Sequence, residues 1–294
     1  LKLEHKYMPE DNGALGLPEF GTPFVRQMLR ETLPKSFSDL LIISGLSHGT
    51  DVWNNNAQNL IQKNITNLRG VIGCRDDIMT YLISHNIDGH EAFVIMEAVR
   101  KGKQLKPEWE TLMREHNVPD YYTDSCNKIK YLFPKGHACA YVMMALRVGY
   151  YKIYYPLEFY ATFFTLRCEQ YDIESMLKGS EGIFNKLQEY SNRRKSNNPE
   201  KALSPKEEEI EKTLQVALEM TERGYKFLNI DIEKSDATNF IVDKERKALI
   251  PPFKVLDGFG EKGGEALIQA RNEKPFISQE DLLQRGKISK TNLK

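Results

Sequence analysis

Apolar side chains recur at helical spacing along most of the chain. Phe24, Val25, Met28 and Leu29 fall at i, i+1, i+4 and i+5, with Thr22 placed to cap and Pro23 at the first helical position, so a helix is predicted there. Ser36 caps a second short helix through Leu40 to Ile43, which is predicted to run into a loop, Ser44-Gly45-Leu46-Ser47-His48-Gly49-Thr50. The same period marks helices from Asp76 to Ile83 and from Gly89 to Val99, the second closed by Lys101-Gly102-Lys103. Further helices are predicted from Pro107 through Met113 and from Ser125 to Leu132. Phe133-Pro134-Lys135-Gly136 interrupts the run before a long apolar helix from His137, which Pro156 breaks or kinks. The richest apolar stretch, from Ala138 to Tyr155, contains Arg147 and Lys152, charges that are expensive at membrane depth, so it is read as a buried core helix and not a membrane span.

Elsewhere the pattern changes. Residues 1 to 22, with Gly13, Gly16, Pro18 and Gly21, read as loop. The polar stretch from Glu189 to Pro199 is predicted to loop out as a mobile linker. Ser204-Pro205, followed by Glu207, Glu208 and Glu209, starts a helix that should stop at Gly224. Three short strands follow, from Lys226 to Ile232, Phe240 to Val242 and Ala248 to Ile250. The tail from Pro251 to Lys294 reads as two short helices, one ending at Arg271 and one starting after Ser278. The expected fold class is mostly α: a large helical region, a small α+β connector and a helix-hairpin-helix unit.

Composition narrows the partners. With 294 residues, two domains are expected, and 41 basic against 41 acidic residues give no net charge, so any nucleic-acid site must be a local patch. The four cysteines occur without C-x-x-C spacing, which argues against a zinc module and a disulfide framework and fits a reducing, cytoplasmic setting. No basic stretch followed by an apolar run opens the chain, so no secretory signal is expected.

Three constellations carry candidate chemistry. Gly258-Phe259-Gly260 lies before a helix, with Lys262 beside it; two glycines one residue apart permit a tight hairpin whose N–H groups and helix dipole suit a phosphate oxygen. That is the pattern of a helix-hairpin-helix unit binding DNA backbone, although a plain glycine turn between packed helices gives the same string, and Gly263 and Gly264 weaken the helix start. Around His48, the small and hydroxyl residues including Ser47 suit a loop approaching a phosphate or base, or equally a Ser/Gly turn after a helix. In Phe133-Pro134-Lys135-Gly136-His137-Ala138-Cys139-Ala140-Tyr141, Lys135 and His137 open a helix whose small residues allow close approach, a surface suited to a triphosphate with a base near Tyr141; a surface histidine is the alternative. Arg75 at another helix start either forks onto a phosphate or pairs with Asp76 or Asp77. A metal reading of Asp76-Asp77 is rejected, since adjacent helical residues point in different directions.

Taken in order, Leu15 to Thr22, Ile43 to Trp53, Val71 to Met79 and Phe133 to Tyr141 resemble the fingers of PolC, the DNA polymerase III alpha subunit of low-GC Gram-positive bacteria. Arg223 to Leu228, Ser235 to Thr238 and Pro251 to Phe253 resemble its connector, and Leu256 to Lys290 its tandem helix-hairpin-helix region. The resemblance implies residues 1–12 as a junction or palm remnant, 13–222 as polymerase fingers, 223–250 as connector and 251–294 as the hairpin region. It implies template-directed nucleotidyl transfer in a bacterial cytoplasm, with primer-template DNA, deoxynucleoside triphosphates, and sliding clamp and other replisome proteins as partners, and no membrane. Mg²⁺ would be held by palm aspartates that this chain lacks, so no catalytic or metal-binding residue is expected here and the chain alone should be inactive. Arg75, Lys135 and His137 are assigned to the triphosphate, Ser47 and His48 to the base or sugar, Tyr141 to base stacking, and Gly258, Gly260 and Lys262 to DNA. The competing reading is a non-catalytic, sequence-independent DNA-binding module using only the helix-hairpin-helix, which nucleotide binding would separate from the first. An independent nucleotide hydrolase ranks last, since no G-x-x-x-x-G-K-[ST] loop occurs.

Overall fold

The computed structural model describes residues 6–8, 12–196 and 199–288. The chain forms two compact units, one of residues 12–149 and one of residues 150–294 with the N-terminal segment. Most of residues 1–12, Asn197, Asn198 and residues 289–294 lie outside the described residues, and with them most of the expected junction, part of the expected linker and the end of the hairpin region.

The first unit is helical. A turn-rich segment leads to α1 (Pro23–Thr32) and α2 (Phe37–His48); a π-type turn at Trp53–Ala57 enters α3 (Gln58–Gln62). Then come α4 (Arg75–Ser84), α5 (Gly89–Arg100), α6 (Pro107–Glu115), α7 (Asp120–Lys128) and α8 (Lys135–Tyr154), whose last residues belong to the second unit. Caps explain the starts: Thr22 Oγ1 accepts from Val25 N–H, and Ser36 and Asp39 exchange side-chain and backbone bonds in a capping box. Arg69, 3.0 Å from Asp39, holds that carboxyl down at about 2. Two consecutive helix hairpins repeat one design. In each, an asparagine with positive φ (Asn86, Asn117) ends the helix, and the next apolar residue donates back, Ile87 N to Leu82 O and Val118 N to Met113 O. His85 and His116 then donate reciprocally, each Nδ1 to the other's carbonyl at 3.1 and 2.8 Å. One core runs beneath, with Ile43, Ile78, Leu82, Ile95 and Met113 fully buried. Each such side chain contributes about 1.5–3 kcal/mol.

Three expectations for this unit are corrected. Ser44 to His48 is not a loop, because α2 continues through it. Gly45 is there for close approach: a Cβ would sit 2.4 Å from Gly73 O and 2.6 Å from Cys74 Sγ, and burial of Ile43 and Leu46 offsets the roughly 1 kcal/mol that glycine costs a helix. The helix expected from Ser125 to Leu132 starts earlier, at Asp120, and ends at Lys128; beyond it, Lys130 N and Thr50 N bond across to Thr50 O and Tyr131 O, so the backbone runs extended. Nor is α8 a buried core helix. Ala138, Val142 and Ala145 face inward while Tyr141, Met143, Met144 and Leu146 are exposed.

In the second unit, α9 (Pro156–Arg167), α10 (Ile173–Leu177), α11 (Gly179–Lys195) and α12 (Pro205–Glu222) precede a three-stranded sheet. Strands β1 (Lys226–Phe227), β2 (Ile241–Asp243) and β3 (Ala248–Ile250) lie in the order β1-β3-β2, with β1 parallel and β2 antiparallel to β3; Lys226 pairs with Ala248 and Ile241 with Ile250. Phe164 on α9 packs its ring 5.4 Å from Phe227 and 5.5 Å from Phe240. Next come α13 (Glu261–Glu273) and α14 (Gln279–Arg285), sharing a small core of Phe253, Phe259, Leu267 and Leu282. The looped-out linker is corrected too. Residues 189–195 are helical, because Tyr190 is buried and Arg193 forks onto Glu207 of α12, holding that carboxyl down at about 2. Likewise β1 is shorter than expected: Asp231 accepts from the N–H groups of Glu233 and Lys234, turning the chain before Ile232 can extend it.

Lys152 is the inward-facing residue among exposed Tyr150, Tyr151, Ile153 and Tyr154. Its ammonium lies 2.7 Å from Glu219, which also accepts from Tyr160 OH at 2.6 Å, and Arg223 donates to Tyr160 OH and to the Lys152 carbonyl. Burial pushes the Tyr160 hydroxyl well above its ordinary pKa. Removing one partner strands a buried charge. Lys152→Met should therefore lower stability by about 3–5 kcal/mol, and adding Glu219→Leu should recover much of that loss in denaturant melts.

Candidate functional site

Two helix starts meet in the first unit. Phe133 precedes Pro134, which keeps it extended, and its carbonyl accepts from Arg75 N–H at 3.1 Å at the start of α4. Its ring is stacked by His48 from the end of α2 (centroids 4.7 Å apart, planes at 21°) and met edge-on by His137 at 5.1 Å. Tyr141, one turn along α8, lies 4.7 Å from His137, and Ser47 Oγ lies 3.0 Å from His48 Nδ1. The structure thus brings His48, His137 and the Arg75 backbone onto one aromatic residue, with Ser47 beside His48, Tyr141 beside His137 and Lys135 two residues further along the chain, although they come from stretches 47–48, 75 and 135–141 of the sequence.

The charged members are already engaged. Lys135 donates its backbone N–H to Asp76 Oδ2 at 2.8 Å and its ammonium to Asp77 Oδ1 at 2.8 Å, and the Asp77 contact raises the lysine pKa. The other Asp77 oxygen caps α4, accepting from Gly73 and Cys74 N–H. Burial pushes the Cys74 thiol up to about 12, which leaves it a packing residue. Arg75 Nε stands 3.9 Å from Asp76 Oδ2 and its guanidinium is partly exposed. His48 Nδ1 is 2.8 Å from Ser44 O, and Nε2 lies 2.9 Å from Glu19 Oε2, an oxygen that is buried and, among the described residues, accepts no hydrogen bond. Exposed atoms on the cluster are therefore the Lys135 ammonium, the Arg75 fork and the open sides of His137 and Tyr141.

Sequence reasoning missed Phe133 as the centre, Glu19 as the neighbour of His48, and Asp76 and Asp77 as partners of Lys135; it offered the two aspartates only as partners of Arg75, whose Nε does stand 3.9 Å from Asp76. The pre-proline position of Phe133 was a usable signal; the Glu19 contact spans the turn-rich segment and α2 and left no mark in spacing. Asp76 and Asp77 do point differently, yet both end on Lys135. Among the described residues no grouping of three or more His, Cys, Asp or Glu fits a metal ion, and these two carboxylates are taken up by capping and by Lys135.

In the second unit the Gly258–Gly260 hairpin stands out from the surface. Gly258 has φ 75, which only glycine adopts freely, whereas Gly260 is extended (φ −80, ψ 167) as the cap residue of α13. Both are exposed with open space where a Cβ would stand, Lys262 is exposed beside them, and buried Phe259 packs on Phe253 to pin the hairpin. Gly264 has its own purpose: a Cβ there would lie 3.0 Å from Ala237, so the glycine lets α13 approach the connector. The exposed N-terminus of α13 is thus available to an anion.

Comparison with known proteins agrees with both regions. Residues 6–117 match the bacterial DNA polymerase III alpha subunit finger domain, and residues 224–294 match the helix-hairpin-helix motif. Finger-domain and hairpin matches together are the combination of a bacterial DNA polymerase III alpha subunit segment, which this chain resembles. The intervening residues, which include Lys135 to Tyr141, are covered by whole-chain relatives. DNA polymerase III PolC-type of Bacillus subtilis is 53% identical over 283 residues, that of Oceanobacillus iheyensis 52% over 281 and that of Ureaplasma parvum 50% over 285. These alignments cover 96–97% of this chain and 19–20% of each relative, so the chain spans about a fifth of the length of the curated relatives it matches. Over nearly its whole length the chain is similar to one segment of PolC-type DNA polymerase III.

Because Gly260 is extended and faces open space, Gly260→Val should fold normally and yet place a side chain between the α13 N–H groups and any phosphate. Duplex binding is expected to weaken, with the slope of log K against log salt shallower by roughly 0.9 for each phosphate no longer neutralised. Filter binding across a salt series, beside a melting curve, checks this. Equal affinity in two folded proteins would remove the hairpin from the interface.

Proposed function

We propose that this chain is the nucleotide-gripping and DNA-backbone-holding part of a DNA-directed DNA polymerase, acting in the bacterial cytoplasm. Lys135, Arg75 and His137 take the triphosphate of an incoming deoxynucleotide, Tyr141 stacks toward the base, Ser47 and His48 border the sugar or base, and Gly258, Gly260 and Lys262 hold the primer-template backbone. By role, residues 13–222 are fingers, 223–250 connector and 251–294 hairpin region. The observation that carries this reading is the contact of His48, His137 and the Arg75 backbone with Phe133, where the starts of α4 and α8 adjoin and Lys135 links them, in a segment whose relatives are PolC-type polymerases.

The chemistry asked of these residues is positioning and charge stabilisation, not bond making. Two helix N-termini and a lysine favour polyanionic phosphates, and the phosphates would exchange with Asp76 and Asp77 for the lysine. On this reading magnesium would be held by the palm carboxylates that the family resemblance implies for the longer polymerase. Template-directed transfer, and any contact with clamp or replisome proteins, therefore belongs to the longer polymerase.

In a full-length polymerase carrying this segment, Lys135→Ala should lower single-nucleotide incorporation efficiency by about 1.5–3 kcal/mol, the range for a hydrogen bond to a charged group. Primer-template affinity should stay nearly unchanged. Losing the half-exposed pair to Asp77 should reduce stability by only about 0–1 kcal/mol. Incorporation rates over a nucleotide series, beside a melting curve, check both. Normal efficiency in a less stable protein would return Lys135 to a purely structural role.

A further inference from the structure

A strained backbone position beside the cluster lies in the turn-rich segment. Glu19 has φ 67, and Phe20 N–H donates to Pro18 O at 2.7 Å across it, the hydrogen bond of a γ-turn with positive φ at its centre, a form both rare and strained. A glutamate gains nothing locally from that conformation. The surroundings impose it: Phe20 and Ala14 are buried in the core, Leu17 N bonds Ala14 O, Gly21 N bonds Leu17 O, and Asn12 ties the segment to Arg26 O on α1. At Gly21 a Cβ would lie 2.8 Å from Leu17 O, so the chain closes tightly just after the turn. The result is a carboxylate, only 16% exposed, held 2.9 Å from His48 Nε2.

We propose that Glu19 is a positioning residue for His48. A ring held at Nδ1 by Ser44 O alone can pivot about that contact; the Glu19 carboxylate, 2.9 Å from Nε2 though not in hydrogen-bonding geometry, closes the space into which the ring would swing and keeps it stacked on Phe133. Strained residues persist where the fold over-determines them, and here the strain delivers that carboxylate. Glu19 acts through His48 and touches no ligand. Its consequence for the polymerase rests on the reading of His48 as a nucleotide-site residue.

Glu19→Gly and Glu19→Asn both accept positive φ and both lose the reach to His48, so either one, folded, serves as the test. In the chain carrying Glu19, the His48 ring proton resonances should be displaced by the Phe133 ring current and sharp. In the variants they should move toward free-histidine positions, while the melting temperature of Glu19→Gly stays equal or rises. Titration with dATP should show affinity about tenfold weaker in the variants, in the range of couplings between residues in contact. If the His48 resonances are unmoved in a folded variant, the positioning role is overturned whatever dATP does. If they move while dATP affinity holds, Glu19 positions His48 and it is the nucleotide role of His48 that fails.

Discussion

Two helix N-termini cannot adjoin without something negative between them. The amide dipoles leave about half a positive charge at each end, and here the starts of α4 and α8 are linked through the Arg75 N–H bond to Phe133 O, with the Lys135 ammonium added. Asp76 and Asp77 are the answer. One carboxylate accepts from the α8 backbone at Lys135, the other caps α4 and meets the lysine's ammonium, so the pair neutralises both ends and fixes their register. Once that register is set, Phe133 has one place to go, and its ring becomes the surface on which His48 and His137 rest. Every candidate nucleotide contact follows from this one electrostatic constraint.

Much of the scaffold was legible because it is local. Thr22-Pro23, Ser36 and Ser204-Pro205 announced helix starts that the structure places at those residues, and Gly102 and Gly224 lie just past helix ends with positive φ. What failed was tertiary. Gly45 looks like a breaker in isolation; the backbone of Gly73 pressed against it explains the glycine, and the burial of Ile43 and Leu46 explains why the helix continues. The charged run around Arg193 looks like linker until Glu207 and Glu211 on α12 supply its partners. In α8 the apolar composition was visible, but which face turns inward was not: Lys152, the residue that read as an obstacle to burial, is the buried one, because Glu219 waits for it 67 positions away.

The candidate sites divide in the same way. Candidate residues of the right chemistry stood out in the sequence as basic, hydroxyl and glycine-rich strings. Their grouping did not, since stacking on Phe133 is a fact of three dimensions. The hairpin was the easier case, because the conformational freedom it requires is written in Gly258 itself, whereas Gly264, which looked like a weakness of α13, is explained only by Ala237.

On the proposed nucleotide reading, the carboxylates that build the cluster would also set its selectivity. Two of the three groups proposed for the triphosphate have an acidic neighbour: Lys135 has Asp77 and Arg75 has Asp76. A single weak anion gains little by displacing either of these, because it must leave water and compete with an intramolecular partner held at a fixed distance. A triphosphate brings several linked charges, so its second and third contacts are made at high effective concentration once the first has formed. If the cluster takes a nucleotide as proposed, the same arrangement that neutralises two helix ends would favour a chelating polyanion over monovalent ones. Specificity of this kind comes from the competitors already in place, and it would be lost, along with the fold's register, if the cations stood alone.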